Sequence, residues 1–324
     1  MRTIALMNQK GGVGKTTTTV NLGAALAERG RRVLLIDLDP QAHLTITYGV
    51  EPDGGDGATL YDVLVGEAGV LQAVRRLDVP GVKGEIHVLP GSLDLAGLES
   101  EMASVEGRQL RLREAMAKIE HDYDYALLDC PPSLGLLTVN ALALAEEVLI
   151  PMQAHFLALQ GFAKLLETTQ LVAQGMNPGL RVTGVILTMF DAQTRLSNDV
   201  VGELQGFFDE ARGLSLPWSD AKLFAAKVRR NIKLAEAPSF GQSILAYDAA
   251  SNGAADYRAL AAELEDTGAN PAGKFLGKVP VDGEEPAEVR LEVLRRDAAG
   301  LKAGAVGQDA TPAARRTAPE PAVA

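Results

Sequence analysis

The chain has 324 residues, 47% of them hydrophobic, a net charge of −11 and a single cysteine, Cys130. This is enough apolar material for one large α/β domain, and a lone cysteine excludes an intrachain disulfide and fits a reducing cytoplasm. No apolar run approaches the ~18–20 residues of a membrane span, and an acidic total argues against a surface that is basic throughout.

The charge is uneven. Residues 268–324 carry eight basic and eight acidic side chains, so the deficit lies in residues 1–267. Within those, Lys222, Lys227, Arg229, Arg230 and Lys233 follow one another with no acid between Lys222 and Lys233. Phosphate neutralisation is local, so an acidic protein can still hold DNA through such a patch.

In chain order, residues 2–7 read as a first strand and 16–28 as a helix. Between them runs Asn8-Gln9-Lys10-Gly11-Gly12-Val13-Gly14-Lys15-Thr16-Thr17. Strand, glycine loop, helix is the order of a phosphate-binding loop, whose backbone N–H groups and helix N-terminus face phosphate oxygens. In such a loop Lys15 reaches the β- and γ-phosphates and Thr16 holds Mg²⁺. The usual G-x-x-x-x-G-K-[ST] spacing needs glycine at position 9; this chain has Gln9 there and a second lysine, Lys10, beside it.

Further strands are expected at 32–37, 86–89, 124–129, 147–151 and 182–189, and helices at about 58–65, 108–120, 135–145 and 157–174. The alternation predicts a doubly wound, mostly parallel α/β sheet with helices on both faces. Phosphate chemistry then lies at the carboxyl ends of the strands, where Asn8, Asp37, Asp39 and Asp129 fall. Asp129 closes an apolar strand and is expected to hold the metal with Thr16, with Asp37 in support. The stretch 213–226 looks inserted, with Trp218 and Phe224 as packing anchors. Histidines 43, 87, 121 and 155 show no metal-ligand spacing. Residues 1–267 are expected to form the phosphate-binding α/β domain and 268–324 a flexible tail, Ala/Pro-rich from Thr311, with a short helix over 285–302.

The loop Lys10–Thr16 resembles the deviant Walker A motif of the ParA/MinD ATPases. Leu35-Ile36-Asp37-Leu38-Asp39-Pro40-Gln41 resembles the second acidic motif of ParA/Soj proteins, and Tyr125–Ser133 their Walker B strand. Lys233-Leu234-Ala235-Glu236-Ala237-Pro238-Ser239-Phe240-Gly241 resembles a segment typical of chromosomal ParA/Soj proteins. The similarity covers residues 1 to about 265. It implies a Mg²⁺-dependent, P-loop partitioning ATPase that is cytoplasmic and nucleoid-associated. ATP and Mg²⁺ would bind through Lys10, Gly11, Gly12, Val13, Gly14, Lys15, Thr16 and Thr17, with Asn231 on the adenine. Asp39 would position or deprotonate the attacking water. Lys10 would reach the ATP of a facing subunit, making ATP the glue of a homodimer. That dimer would hold nonspecific double-stranded DNA through Arg195, Arg229, Arg230 and Lys233, until a ParB-type partner stimulates hydrolysis. The chain departs from the family at Ala42-His43, where Gly-Asn is usual, at His155, where glutamate is common, and at Gln193. A MinD-like membrane-cycling ATPase is the alternative; the Glu236-Ala237-Pro238-Ser239 segment and a tail without aromatics in its helix speak against it. A loader of nucleotide or metal onto clients lacks its expected Cys-x-x-Cys pair.

Overall fold

A computed structural model describes residues 1–269 apart from 53, 54, 56 and 156. Eight strands form one sheet: β1 (Arg2–Leu6), β2 (Arg32–Asp37), β3 (Arg75–Leu77), β4 (Glu85–Leu89), β5 (Tyr125–Asp129), β6 (Glu147–Gln153), β7 (Arg181–Thr188) and β8 (Lys222–Leu223). Their order is β3-β4-β2-β5-β1-β6-β7-β8. Every pairing is parallel except β3 with β4. The helices are α1 (Lys15–Glu28), α2 (His43–Thr47), α3 (Leu60–Val65), α4 (Val70–Ala73), α5 (Leu98–Glu101), α6 (Arg111–Met116), α7 (Leu136–Leu144), α8 (Leu157–Gly175), α9 (Arg195–Ala211), α10 (Lys233–Glu236), α11 (Ile244–Tyr247) and α12 (Asn252–Ala269).

The central strands are apolar on both faces because helices cover both. Side chains alternate between two cores. Ile4, Leu6, Val33, Leu35 and Leu127 pack beneath α1 and α12. Ala5, Met7, Leu34, Ile36, Ala126 and Leu128 pack against α3, α7, α8 and α9 on the other face. The expected anchors are both buried, and they serve opposite faces: Trp218 joins the second core and Phe224 the first. β8 therefore extends the sheet edge through the stretch that looked inserted.

All six expected strands form, with ends that differ by at most two residues. The helix expected over 108–120 is shorter: a 3-10 turn at Arg108–Leu110 leads into α6, which ends at Met116. The edge strands β3 and β8 and the helices α9 and α12 were not anticipated. The α12 helix runs to Ala269, two residues past the expected boundary. The expected tail helix at 285–302 lies outside the described residues. Among the described residues no helix is long and apolar enough to cross a membrane.

Candidate nucleotide site at the carboxyl ends of the strands

Strand β1 lies between β5 and β6, so the chain leaves it towards β2 on one side and returns to β6 on the other. The crevice at such a switch point is where open α/β sheets bind ligands. The glycine loop occupies it. Gly12 and Gly14 take φ of +72° and +87°, a region that side chains with a Cβ avoid. Gly14 then caps α1, its carbonyl accepting from the Thr18 N–H at 2.9 Å.

The loop is held by side chains of the neighbouring strand ends. Asn8 donates from Nδ2 to the Pro151 carbonyl at 2.8 Å, and its Oδ1 accepts from the Lys10 N–H at 3.0 Å. Thr188 Oγ1 donates to the Val13 carbonyl at 2.7 Å, and Gln153 Nε2 to the Gly12 carbonyl at 3.1 Å. Three of the loop's anchors thus come from β6 and β7. Thr188 and Gln153 escape a reading by sequence because each is merely the polar end of an apolar strand.

Lys15 is buried, and its Nζ reaches back to the Lys10 carbonyl at 3.5 Å. Lys10 is exposed. Its Nζ meets Nε2 of His155 at 2.5 Å.

Two carboxylates stand side by side on adjacent strands, for Asp37 and Asp129 pair in the β2–β5 register. Both are fully buried. Burial pushes the Asp37 carboxyl up to about 6, against hydrogen bonds from Thr45 that favour its charged form. Burial and the charge of Asp37 push Asp129 well above the usual carboxylate range, while Thr16 and Lys15 pull it back.

Their contacts differ. Asp37 Oδ2 accepts from the Thr45 N–H at 2.8 Å and from Thr45 Oγ1 at 2.7 Å, and Oδ1 from the Asp39 N–H at 3.3 Å. Asp37, expected in support of the metal, also holds the entry of α2 through these bonds. Asp129 accepts from Thr19 Oγ1 at 3.4 Å on Oδ1, and its buried Oδ2 has no partner. A buried carboxylate oxygen without a donor is costly unless a cation or water comes to it. The donor set of Asp129 and Thr16, beside Lys15, therefore fits hydrated Mg²⁺, a cation that prefers one or two carboxylates plus phosphate oxygens.

Asp39 is half-buried beyond β2, and its Oδ1 accepts from the Gln41 N–H at 3.0 Å. The turn closes through Ala42, whose φ of +50° is the conformation that the family's usual glycine at this position adopts without cost.

The remaining expected residues lie on the flank beyond β7. A backbone bridge joins Phe190 to Arg229, bringing the residues after β7 alongside the basic stretch after β8. Arg195 opens α9 and Arg230 follows the bridge; both are exposed. Arg229 was expected to contact a nucleic-acid phosphate. Its guanidinium clasps Asp256 of α12, with Nη2 to Oδ1 at 2.6 Å and Nε at 3.0 Å. The half-exposed side chain joins that segment to α12. Lys233 Nζ lies 3.4 Å from Glu236 and 5.5 Å from the Tyr247 ring centre. Asn231 Oδ1 accepts from the Lys233 N–H at 2.9 Å and so fastens the turn into α10, with its amide turned towards Gly253.

Comparison with known proteins agrees with this geometry. Residues 1–182 match a family model described as an AAA domain. The chain is 42% identical over 272 residues to the chromosome partitioning protein ParA of Myxococcus xanthus, covering 83% of this chain and 90% of that one. It is 46% identical over 264 residues to the chromosome-partitioning ATPase Soj of Thermus thermophilus, covering 82% and 95%. A solved structure of cobyrinic acid a,c-diamide synthase from Mycobacterium smegmatis, with bound ADP and magnesium, superposes with a TM-score of 0.68 at 36% identity, covering 86% of this chain and all of that one. The cell division ATPase MinD of Pyrococcus furiosus follows at a TM-score of 0.62 and 28% identity, covering 82% and 99%. With a P-loop sheet, a second loop lysine and this likeness across the whole ATPase region, the chain belongs to the ParA/Soj family of partitioning ATPases.

Proposed function

We propose that this protein is an ATP-driven DNA-partitioning ATPase, in which ATP closes a face-to-face dimer, the dimer binds DNA without sequence preference, and hydrolysis stimulated by a ParB-type partner releases it. The observation that carries the reading is the loop itself: a buried Lys15 for its own nucleotide and an exposed Lys10 beside it. A single subunit has no evident use for both.

In this reading the N–H groups of residues 11–17 and Lys15 cradle the phosphates and spread the charge that develops on them. Bound Mg²⁺, held by Thr16 and Asp129, supplies further neutralisation of the phosphate oxygens. Asp39 orients the attacking water, and its carboxylate is already fixed by the Gln41 N–H. Asp37 acts one step away, holding the turn that carries Asp39 through the Asp39 N–H and Thr45. Asn231 lines the adenine end. Lys10 completes the facing subunit's site, so dimerisation and catalysis are coupled.

DNA then meets Arg195, Arg230 and Lys233 from both subunits, with Arg229 confined to positioning. Contacts to phosphate give affinity and no sequence reading. Two copies of a weak patch bind strongly through high effective concentration. In the cell such a dimer is nucleoid-associated. Light scattering with a nonhydrolysable ATP analogue tests the reading: a shift from monomer to dimer supports it, and a monomer under saturating analogue refutes it.

A further inference from the structure

The contact between Lys10 and His155 joins the loop to the residue just after β6. His155 Nε2 can accept from the Lys10 ammonium only when the ring is neutral with its proton on Nδ1. The surroundings keep it so. Partial burial and the charge of Lys10 hold the imidazole below its ordinary pKa of 6.5. Lys10 is the only titratable side chain acting on the ring among the described residues. The elements packed nearby add none: the end of β7 offers Thr188 and Met189, and Gln153 is taken up by Gly12 and Met189 Sδ. Where the family commonly carries a glutamate, this chain thus has a neutral, removable acceptor.

We propose that His155 is a positioning residue that retains Lys10 on its own subunit, so that ATP-driven dimerisation proceeds only by breaking the Lys10–His155 contact. This rests on the reading of Lys10 as the residue that crosses to the facing nucleotide. Each subunit gives up one contact, so retention counts twice against the dimer. Below the ordinary range of the ring, protonation leaves Nε2 a donor, and the imidazolium repels the ammonium. Lys10 is then released from its own subunit.

The test compares wild type, His155→Ala and His155→Gln. Retention is read first, in nucleotide-free protein at pH 7.5, as the rate at which Lys10 is acylated by an amine-reactive ester and located by mass spectrometry. His155→Ala should raise that rate severalfold, and His155→Gln, which keeps a neutral acceptor, should restore it towards wild type. The dimer constant with a nonhydrolysable ATP analogue is read second. The contact is exposed and screened by solvent, so its loss from both subunits leads us to expect a dimer about tenfold tighter in His155→Ala at pH 7.5. The gap between wild type and His155→Ala should close as the pH falls towards 5.5, because the wild-type ring then also lets go. The ratio cancels any effect of pH on the carboxylates, which all three proteins share. His155→Gln should hold a constant gap from His155→Ala at every pH. Monomer affinity for the analogue should be equal in all three. An unchanged acylation rate in His155→Ala overturns the proposal, as does a gap that persists unchanged to pH 5.5. If neither wild type nor His155→Ala dimerises, the crossing role of Lys10 fails instead, and the acylation rates still decide retention.

Discussion

The buried pair Asp37 and Asp129 makes the nucleotide-free protein unusual in its response to pH. Asp37 binds a proton more tightly in the folded chain, at about 6, than in the unfolded chain, at about 3.8. The sign follows from linkage: a group whose folded pKa is raised gives stability that is full below the unfolded pKa and lost as pH rises through the folded one. Going from pH 7.5 to pH 5.0 should therefore stabilise the free protein by about 1.4 kcal/mol through Asp37 alone, towards a limit of about 3 kcal/mol. Asp129, raised by the same burial and by its neighbour, adds in the same direction. Opposition comes from His87 and His155, both held below their ordinary range by burial, whose contribution is lost as pH falls below about 6.5. Glu147, whose pKa is lowered with Arg2 as its main partner, acts only below the ordinary range of glutamate. Urea unfolding of wild type and Asp37→Asn at pH 5.0 and 7.5 isolates the carboxyl as the difference between the two slopes. Mg²⁺ with ATP, which favours the charged form of both carboxyls, should reduce that difference, and its binding near pH 6 should release protons, measurable by calorimetry in buffers of different ionisation enthalpy. If wild type and Asp37→Asn share one slope, the buried-carboxylate argument is wrong.

Lys15→Ala should weaken ATP binding by about a hundredfold or more, read by equilibrium titration with a fluorescent analogue, since it removes the buried cation facing the phosphates. Asp39→Ala should bind ATP normally, lose hydrolysis and accumulate as an ATP-bound dimer on size exclusion, whereas Lys10→Ala should bind ATP and stay monomeric; a hydrolysing Asp39→Ala contradicts the assigned roles. Trp218→Ala should cost about 3–5 kcal/mol in urea unfolding, because the ring is 2% exposed within the core under α9.

Much of this was legible in the sequence because it is periodic or local. The central strands read clearly: each is a run of apolar residues, and both faces are covered. The phosphate loop read clearly because glycines and lysines there have few other uses. The edge strand β8 did not, since Lys222–Leu223 is two residues long and defined only by its pairing with β7. Nor did β3, an antiparallel edge of mixed polarity. The α9 and α12 helices went unread although their sequences permit them. At the site, position in a motif located Asp37 and Asp129 but not their difference. That Asp37 Oδ2 is taken up by Thr45 while Asp129 Oδ2 is left bare depends on Thr45, eight residues beyond Asp37 along the chain. Arg229 shows the same limit. Its charge suggested DNA, and its partner Asp256 lies 27 residues away on a helix that the pattern had not revealed.

The central claim is that ATP assembles the DNA-binding form. Fluorescence anisotropy with a labelled duplex of arbitrary sequence, titrated with protein under ADP and under a nonhydrolysable ATP analogue, tests it most directly. The account predicts tight binding with the analogue only. Three cations from each subunit, Arg195, Arg230 and Lys233, should give a log–log salt slope of about −5, falling by about 2 in Arg230→Glu. Equal affinity in the ADP and ATP-analogue states, or a salt slope untouched by Arg230→Glu, would contradict it.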